Sequence, residues 1–174
     1  MVTFLKGNIF DSPVQVITNT VNTVGVMGKG LALEFKGRFP RMFKDYQKRC
    51  TAEEVQPGVP YLWEDERTQV LNFPTKRHWK NPSQLEDIEA GLKYLAEHYT
   101  ELGIHSLALP PLGCGNGGLK WDQVRPLIEK YLGGLPDLET FVYESDAVAT
   151  QPKDDGHKES APHESGRRIA AQSI

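Results

Sequence analysis

The sequence has few cysteines and no long apolar run. Two cysteines among 174 residues, Cys50 and Cys114, are too few for a disulfide framework. No hydrophobic run reaches the roughly 18 residues that a membrane-spanning helix needs, and the opening MVTFLKGN lacks the pattern of a signal peptide. We therefore expect a cytoplasmic protein that makes no contact with a membrane.

The sequence also lacks a strong excess of either charge. The formal net charge is −3, which argues against indiscriminate binding to nucleic acid. The basic residues are nevertheless uneven, because residues 29–49 hold seven of them against two acidic residues, a balance of +5. A second basic cluster has two aromatic residues inside it: Lys76, Arg77, His78, Trp79 and Lys80. These segments are typical either of a nucleic-acid contact, with Trp79 stacking on a base, or of an ordinary solvated helix face.

Metal ligands and a structured C-terminal end are missing from the sequence as well. No cluster of His, Cys, Asp and Glu has metal-ligand spacing, so we predict that the protein needs neither a metal nor a cofactor. From Ala147 large apolar residues almost disappear, and residues 147–174 cannot bury enough surface to order themselves. We interpret this end as a tail, a linker or an expression remnant, in which His157 and His163 are solvated. The folded domain is predicted at residues 1–146.

Glycine and asparagine are concentrated in the stretch VQVITNTVNTVGVMGKGLALEF, residues 14–35. Its pattern predicts a buried strand at Val14–Thr18, a polar loop at Asn19–Gly30 and a helix at Leu31–Phe39. The free N–H groups at the start of such a helix favour an anion, so a phosphate-bearing ligand is the first hypothesis. The glycine spacing matches neither a Walker motif nor GxGxxG, and the alternative is a loop whose glycines merely permit positive φ.

A second unit of the same kind follows later in the chain. Residues 104–109 read as a buried strand, and PPLGCGNGGL at residues 110–119 is another glycine-rich loop. A helix is predicted near Asp122, with Pro126 tolerated in its first turn. Because the loops after parallel strands open at one edge of a sheet, the two loops fit a ligand with two phosphates, or one phosphate held from both sides.

The remaining pattern completes a mixed α/β arrangement. A capping box at Ser83–Glu86 predicts the start of a long helix that runs to Gly103, while Pro74–Pro82 reads as irregular. The other predicted elements are strands at Val2–Lys6 and Leu138–Tyr143, a helix at Arg41–Arg49, and an antiparallel hairpin of Val59–Trp63 with Thr68–Phe73.

Four blocks of the sequence resemble the macrodomain family, whose members bind ADP-ribose: Gly7-Asn8-Ile9, Asn19-Thr-Val-Asn22, Gly113-Cys-Gly-Asn-Gly-Gly118 and Phe141-Val-Tyr143. The resemblance covers roughly residues 1–145 and implies a three-layer α/β/α sandwich with a mixed central sheet. Within the family, NTVNTVGVMGKGLALEFKGRFP and LPPLGCGNGGLKW are most similar to the DNA ADP-ribosyl glycohydrolase antitoxins of the DarG type, and next to the terminal ADP-ribose glycohydrolases. In the DarG type, a DarT toxin ADP-ribosylates thymidine in single-stranded DNA and the macrodomain removes the modification.

The resemblance implies a set of ADP-ribose contacts: Asn8, Ile9, Thr18, Asn19, Asn22, Gly28, Lys29, Gly30, Leu31, Pro111, Leu112, Gly113, Cys114, Gly115, Asn116, Gly117, Gly118, Leu119 and Tyr143. Residues 113–118 would wrap the diphosphate with backbone N–H groups, opposed by residues 28–31. Asn8 stands where the family has an acidic residue on the adenine amino group, and Ile9 would offer its backbone N–H. Tyr143 would pack on adenine, and Asn22 would hold the distal ribose.

Lys80 is the predicted catalytic residue, because the related glycohydrolases use a lysine just before the long helix. A lysine can stabilise developing charge or attack the anomeric carbon and form a transient Schiff base. Lys76 is the competing candidate, and the plain alternative for Lys80 is a surface lysine on a DNA phosphate. Cys114 lacks a nearby histidine in the sequence, so a small buried residue is expected there rather than a nucleophile.

The related human-type enzymes also carry an aspartate in the second glycine loop, where this sequence has Gly117. Three interpretations follow: Lys80 acts alone, a carboxylate from elsewhere substitutes, or the protein binds without cleaving. The leading hypothesis is a hydrolase that releases ADP-ribose from thymidine of single-stranded DNA and counters a DarT-type toxin. The alternatives are a non-catalytic ADP-ribose reader, or a hydrolase of ADP-ribosylated protein or ADP-ribose phosphate. Lys76, Arg77, His78 and Trp79 are the candidate DNA contacts.

Overall fold

A computed structural model describes residues 1–145, and the predicted tail lies outside this part of the chain. The strands are β1 Val2–Leu5, β2 Val16–Asn22, β3 Tyr61–Glu64, β4 Gln69–Lys76, β5 Ser106–Leu109 and β6 Glu139–Tyr143. The helices are α1 Gly30–Arg38, α2 Pro40–Thr51, α3 Leu85–His98 and α4 Trp121–Leu132, and a single 3₁₀ turn spans Ile9–Asp11. Within residues 1–145, no helix is long and apolar enough to span a membrane.

The six strands form one sheet in the order β1-β6-β5-β2-β4-β3. Every neighbouring pair is parallel except β3 with β4, which pair antiparallel as the predicted hairpin. The carboxyl ends of β1, β6, β5, β2 and β4 therefore share one edge of the sheet. That edge is where an open α/β sheet places its ligands.

Helices cover both faces of the sheet, which confirms the predicted three-layer sandwich. One core lies between the sheet and α3 and α4, and the other lies between the sheet and α1 and α2. Neighbouring residues of β4 show the division, because Leu71 belongs to the first core and Val70 to the second. Successive side chains of a strand point to opposite faces, so a strand buried on both faces is apolar at consecutive positions.

The prediction that β2 ends at Thr18 is wrong, because the strand continues to Asn22. The polar residues that suggested a loop lie inside the sheet, where Asn19 Nδ2 donates to Asn72 Oδ1 of β4 at 3.2 Å. The prediction of irregular chain from Pro74 is also wrong, since β4 runs on to Lys76. The register between β2 and β4 shifts at that end of the pair, and such irregularities accommodate proline within a sheet.

Two predictions about helix starts are also wrong in detail. Ser83 does not cap α3, because Gln84 occupies the N-cap position and makes no side-chain capping bond. The backbone N–H of Ser83 instead donates to Gly117 O at 2.9 Å, and this bond fixes the residue against the second glycine loop. Pro126 lies in the second turn of α4, because that helix begins at Trp121.

Gly91 lets α3 approach the sheet closely. A Cβ atom at this position would collide with the ring of Phe73 on β4. Gly91→Ala should therefore lower the free energy of unfolding by about 1–3 kcal/mol through overpacking, although alanine favours helix. Gly37→Ala in α1 is the matched control, because its Cβ would meet no atom within 4 Å and should stabilise the helix by about 0.5–1 kcal/mol. Thermal unfolding of both variants measures the contrast, and a Gly91→Ala protein as stable as the Gly37→Ala protein would contradict the packing.

Candidate functional site

Three loops meet at the carboxyl edge of the sheet. Loop 1 comprises residues 23–29 between β2 and α1, loop 2 comprises residues 110–120 between β5 and α4, and the lysine loop comprises residues 77–84 between β4 and α3. The three strands that precede them are neighbours in the order β5-β2-β4. The topology thus gathers both predicted glycine loops and the predicted catalytic lysine at one place.

The start of α1 offers free N–H groups. Its N-cap residue, Lys29, makes no side-chain capping bond, and within residues 1–145 the N–H groups of Gly30 and Leu31 have no acceptor. Gly30 adopts φ +54°, a backbone conformation that side chains rarely tolerate. The uncapped N–H groups and the positive end of the helix dipole can together hold an anion.

Loop 2 offers a second set of free N–H groups. Gly118 N donates to Gly115 O at 3.3 Å and Leu119 N donates to Gly113 O at 3.0 Å, and these two bonds close the loop. The intervening N–H groups of Gly115, Asn116 and Gly117 find no acceptor in the described part of the chain. Successive unpaired N–H groups in such a turn form a concave anion site.

The two anion-binding segments face each other. A Cβ atom built on Gly30 would lie 3.3 Å from Asn116 Nδ2, so the start of α1 and loop 2 are nearly in contact. Gly28, Lys29, Gly115, Asn116 and Gly118 are all exposed around this junction. The arrangement can hold two linked phosphates from both sides, as the sequence predicts.

Loop 2 packs against Ser83, the residue just before the N-cap of α3. A Cβ atom at Gly117 would collide with Gly113 O and with Ser83 Oγ, and one at Gly113 would lie 3.3 Å from Ser83 Cβ. Ser83 is buried, and its Oγ has no hydrogen-bond partner among the described residues. Glycine at position 117 is therefore a packing requirement and not merely a missing aspartate.

Asn22 shapes loop 1 from the end of β2. Its Oδ1 accepts from Val24 N at 3.0 Å and from Val26 N at 3.3 Å, and its Nδ2 donates to Val26 O at 2.7 Å. The Tyr46 hydroxyl lies 2.8 Å from both Asn22 O and Asn22 Oδ1, and burial raises the pKa of Tyr46. The Asn22 amide thus folds loop 1, and its contact with the distal ribose stays a prediction.

The predicted adenine contacts lie together at the ends of β1 and β6. Leu5 of β1 pairs with Tyr143 of β6, and a Cβ atom on Gly7 would lie 3.8 Å from the Tyr143 ring. Asn8 Oδ1, the predicted acceptor for the adenine amino group, already accepts from Phe10 N at 3.0 Å and caps the 3₁₀ turn. Ile9 is buried, and its N–H has no acceptor within residues 1–145.

The lysine loop presents a stack of side chains to solvent. The His78 ring stacks on the Trp79 ring at 5.5 Å, and Lys80 Nζ lies 5.0 Å from the centre of the Trp79 ring. His78 Nδ1 accepts the backbone N–H of Lys80 at 3.1 Å. Trp79 is 46% exposed, so a base could stack on it.

The other two predicted DNA contacts differ in availability. Lys76 is half-buried, and its Nζ donates to Trp79 O at 3.4 Å. Burial, and to a smaller extent the charge of Lys29, lowers the pKa of Lys76. Arg77 is engaged, because its guanidinium forms two hydrogen bonds of 3.1 Å with the carboxylate of Asp87.

Several predicted contacts are not brought to the groove by their side chains. Thr18 and Asn19 are fully buried within β2, and Leu112 is fully buried in the core beneath loop 2. A fully buried side chain cannot touch a ligand in the groove unless the sheet repacks. Pro111 and Leu119 are half-buried at the two ends of loop 2, and Leu31 is half-buried in the first turn of α1.

Cys114 is also buried, and burial raises the pKa of its thiol to about 12. Its Sγ lies 3.5 Å from Leu112 O. A thiol of this kind is inert at neutral pH. Cys114→Ala should leave the hydrolysis that the sequence predicts within about twofold of wild type, because the buried thiol is not reactive at neutral pH. Turnover and iodoacetamide labelling check this, and a rapid reaction of Cys114 near pH 7 would contradict it.

Four residues that sequence reasoning did not assign help to build the site. Thr23 Oγ1 donates to Arg77 O at 2.6 Å and ties loop 1 to the lysine loop. Ser83 packs against Gly117, Tyr46 binds Asn22, and Asp87 binds Arg77. Their partners are distant in sequence, so no local pattern identifies them. Within residues 1–145, no group of three or more His, Cys, Asp or Glu side chains could hold a metal ion.

The fold and the edge site define an α/β domain that can hold a diphosphate between two backbone segments. The sequence profile of the Macro domain matches residues 18–128, and the chain belongs to this family. Its sequence is 46% identical over 148 residues to the "DNA ADP-ribosyl glycohydrolase" of Thermus aquaticus, which covers 83% of this chain and 41% of that protein. The chain thus spans less than half the length of that relative.

Two solved structures are similar to the chain. One is described as the macrodomain of Thermus aquaticus DarG, with a TM-score of 0.79 and 46% identity over 83% of this chain and 99% of that chain. The other is described as Thermosipho africanus DarTG in complex with ADP-ribose, with a TM-score of 0.81 and 41% identity over 88% of this chain and 43% of that chain.

Proposed function

We propose that the chain hydrolyses the bond between ADP-ribose and thymidine in single-stranded DNA, as the cytoplasmic antitoxin to a DarT-type toxin. The observation that carries the proposal is the pair of facing anion-binding segments, at Gly30–Leu31 and Gly115–Gly117, beside an exposed lysine. The similarity to proteins described as DNA ADP-ribosyl glycohydrolases supports the choice of substrate. Residues 1–146 form the catalytic domain in this proposal.

ADP-ribose lies along the carboxyl edge of the sheet. Its adenine packs near Tyr143 and Gly7, its diphosphate accepts hydrogen bonds from the start of α1 and from loop 2, and its distal ribose points to the lysine loop. The strand order supports this arrangement, since β6, β5, β2 and β4 are consecutive neighbours. Charged phosphate oxygens strengthen each N–H contact relative to a neutral acceptor.

Lys80 acts on the distal ribose. The bond from the anomeric carbon to the base nitrogen breaks, a water oxygen joins the carbon, and a proton goes to the nitrogen. Lys80 either stabilises the charge that develops in this step or attacks the carbon first to form a Schiff base. Asp87 is the carboxylate that the structure ties to the lysine loop, but it is already bound to Arg77. The reaction is therefore proposed to run on Lys80 without a dedicated carboxylate and without a metal.

The charges around the site favour DNA over protein as the bearer of ADP-ribose. Within residues 1–145, Lys29, Lys76 and Lys80 form no ion pair with a carboxylate, and the same holds for Lys44 and Lys48 on α2. Arg41 and Arg49 of the basic segment are paired with acidic side chains instead. Unpaired lysines and the exposed Trp79 are suited to phosphates and bases, as in other single-strand binders.

The experiment that tests this function compares two substrates. A single-stranded oligonucleotide carrying ADP-ribosyl-thymidine and an ADP-ribosylated protein are each incubated with the chain, and released ADP-ribose is measured. Release from the oligonucleotide only is the expected result. Release from the protein only would instead favour a hydrolase of ADP-ribosylated protein, one of the alternatives predicted from the sequence. ADP-ribose binding without release from either substrate would overturn the hydrolase.

One observation favours a second candidate function, a non-catalytic ADP-ribose reader. The resemblance implies an aspartate at the position of Gly117 in the human-type enzymes, and the packing of Gly117 against Gly113 O and Ser83 Oγ leaves no room for one. A reader would use the diphosphate groove and the adenine end but would not need Lys80. The same oligonucleotide assay separates the two functions.

A further inference from the structure

The lysine loop is tied to the rest of the molecule at three points. At its start, Thr23 Oγ1 of loop 1 donates to Arg77 O at 2.6 Å. At its end, Ser83 N donates to Gly117 O of loop 2 at 2.9 Å. Across its base, the guanidinium of Arg77 spans to the carboxylate of Asp87, ten residues further along the chain. Lys80 lies between these ties.

The ion pair across the base has the geometry of a strong interaction. Arg77 Nε and Nη2 each donate to one oxygen of Asp87 at 3.1 Å, and two parallel bonds of this kind fix the orientation of both groups. The Asp87 side chain is only 10% exposed, whereas that of Arg77 is 56% exposed. Asp87 also lies in the first turn of α3, where the helix dipole favours a negative charge.

We propose that Arg77 and Asp87 are positioning residues, which brace the lysine loop so that Lys80 is held toward the distal ribose. The inference rests on the proposed function, because Lys80 is the residue that the brace positions. It also replaces the sequence-based interpretation of Arg77 as a DNA contact. A loop whose two ends are joined has fewer conformations available than an open one. The Arg77–Asp87 pair therefore restricts the conformations of the lysine loop, which contacts with the diphosphate of the ligand alone would not do.

Steady-state kinetics on the ADP-ribosylated oligonucleotide test the brace. Arg77→Gln and Asp87→Asn should each lower kcat by about tenfold to hundredfold, the usual cost of a misplaced catalytic group, with KM and the Kd for ADP-ribose unchanged. The double variant should be no worse than the poorer single variant, because both substitutions break the same interaction. Arg67→Gln is the matched control, since it removes the same charge at the β3–β4 turn, at the opposite edge of the sheet.

Salt dependence separates the brace from a DNA contact. If Arg77 binds a phosphate, Arg77→Gln should raise KM and reduce the slope of log affinity against log salt by about 0.7, and Asp87→Asn should not. If Arg77 is a brace, the slope stays unchanged in both variants. Multiplicative losses in the double variant, or a wild-type kcat in Asp87→Asn, would overturn the proposal.

Two further measurements keep the test decisive. Thr23→Val removes the tie to Arg77 O while keeping the side-chain shape, and it should lower kcat in the same way even if Asp87→Asn fails to fold. Hydrogen exchange at the amides of residues 78–81 reports the brace without any turnover, and it should be faster in every brace variant than in Arg67→Gln. Unchanged hydrogen exchange in the variants would overturn the positioning role of Arg77 and Asp87. Faster exchange in the variants, together with no release of ADP-ribose even by the wild type, would instead contradict the proposed hydrolase function.

Discussion

Gly117→Ala should strongly weaken the binding of ADP-ribose. The new Cβ atom would collide with Gly113 O and Ser83 Oγ and would lie 2.8 Å from Gly113 C. Two of these atoms belong to the backbone of the same loop, so the loop itself must move. The free N–H groups of Gly115, Asn116 and Gly117 would then be displaced from the diphosphate. Hydrogen bonds to charged groups contribute about 1.5–3 kcal/mol each, so the loss of two weakens binding by about 10²-fold or more.

Calorimetric titration with ADP-ribose measures this effect, and two controls interpret it. Gly134→Ala makes the same chemical change after α4, where the Cβ would meet no atom within 4 Å, and should bind as wild type. Thermal unfolding without ligand shows whether Gly117→Ala still folds. A folded Gly117→Ala protein that binds ADP-ribose normally would show that loop 2 does not hold the diphosphate.

The same packing predicts the effect of placing an aspartate at position 117. Gly117→Asp introduces the carboxylate that the resemblance implies for the human-type enzymes, yet its Cβ meets the same two oxygens. We expect Gly117→Asp to bind as poorly as Gly117→Ala, rather than to gain activity. A gain in kcat would instead show that loop 2 can rearrange to place a carboxylate at the ribose.

The strand and helix architecture could be predicted from the sequence, because the spacing of apolar residues indicates which positions are buried. The two strand–loop–helix units at residues 14–39 and 104–122 were predicted from such runs, and their loops do open at one edge of the sheet. The ends of elements were less predictable. Asn19 and Asn72 form a hydrogen bond between buried strands, and polar residues that satisfy each other across strands look like loop residues in the sequence.

The parts of the site that depend on distant partners could not be predicted. The resemblance assigns Asn22 to the ligand, and no local pattern shows that its amide also folds loop 1 together with Tyr46, 24 residues away. Ser83 looked like a helix cap because a capping box is a local pattern, whereas its actual partner is Gly117. The ion pair of Arg77 was not visible in the sequence either, because its partner, Asp87, lies ten residues further on, in the first turn of α3.

Lys80→Ala should remove hydrolysis and leave ADP-ribose binding intact. The Nζ of Lys80 lies over the ring of Trp79, 5.0 Å from its centre, and no phosphate-binding N–H group depends on it. Loss of one charge-stabilising group from a catalytic site lowers kcat by about 10²-fold or more. Lys93→Ala, at an exposed position of α3, is the matched control. A parallel loss of affinity and kcat would make Lys80 a phosphate contact instead.

Lys76→Ala decides between the two candidate lysines. Lys76 lies close to Lys80 on the same loop side of β4, and burial, with a smaller contribution from the charge of Lys29, lowers the pKa of Lys76. The half-buried position of Lys76 and its bond to Trp79 O argue for a supporting role. We therefore expect Lys76→Ala to lower kcat less than Lys80→Ala, and the reverse order would transfer the catalytic role to Lys76.

Lys80→Arg distinguishes the two forms that the chemistry can take. Arginine keeps the positive charge but cannot form a Schiff base, so retained turnover would mean that Lys80 stabilises developing charge. Lost turnover, together with a protein adduct of ADP-ribose after borohydride reduction of wild type, would mean that the amine attacks the anomeric carbon. The covalent route needs no separate acid, because an amine that bonds to the anomeric carbon can pass its own proton to the departing base nitrogen. We expect Lys80→Arg to be as inactive as Lys80→Ala.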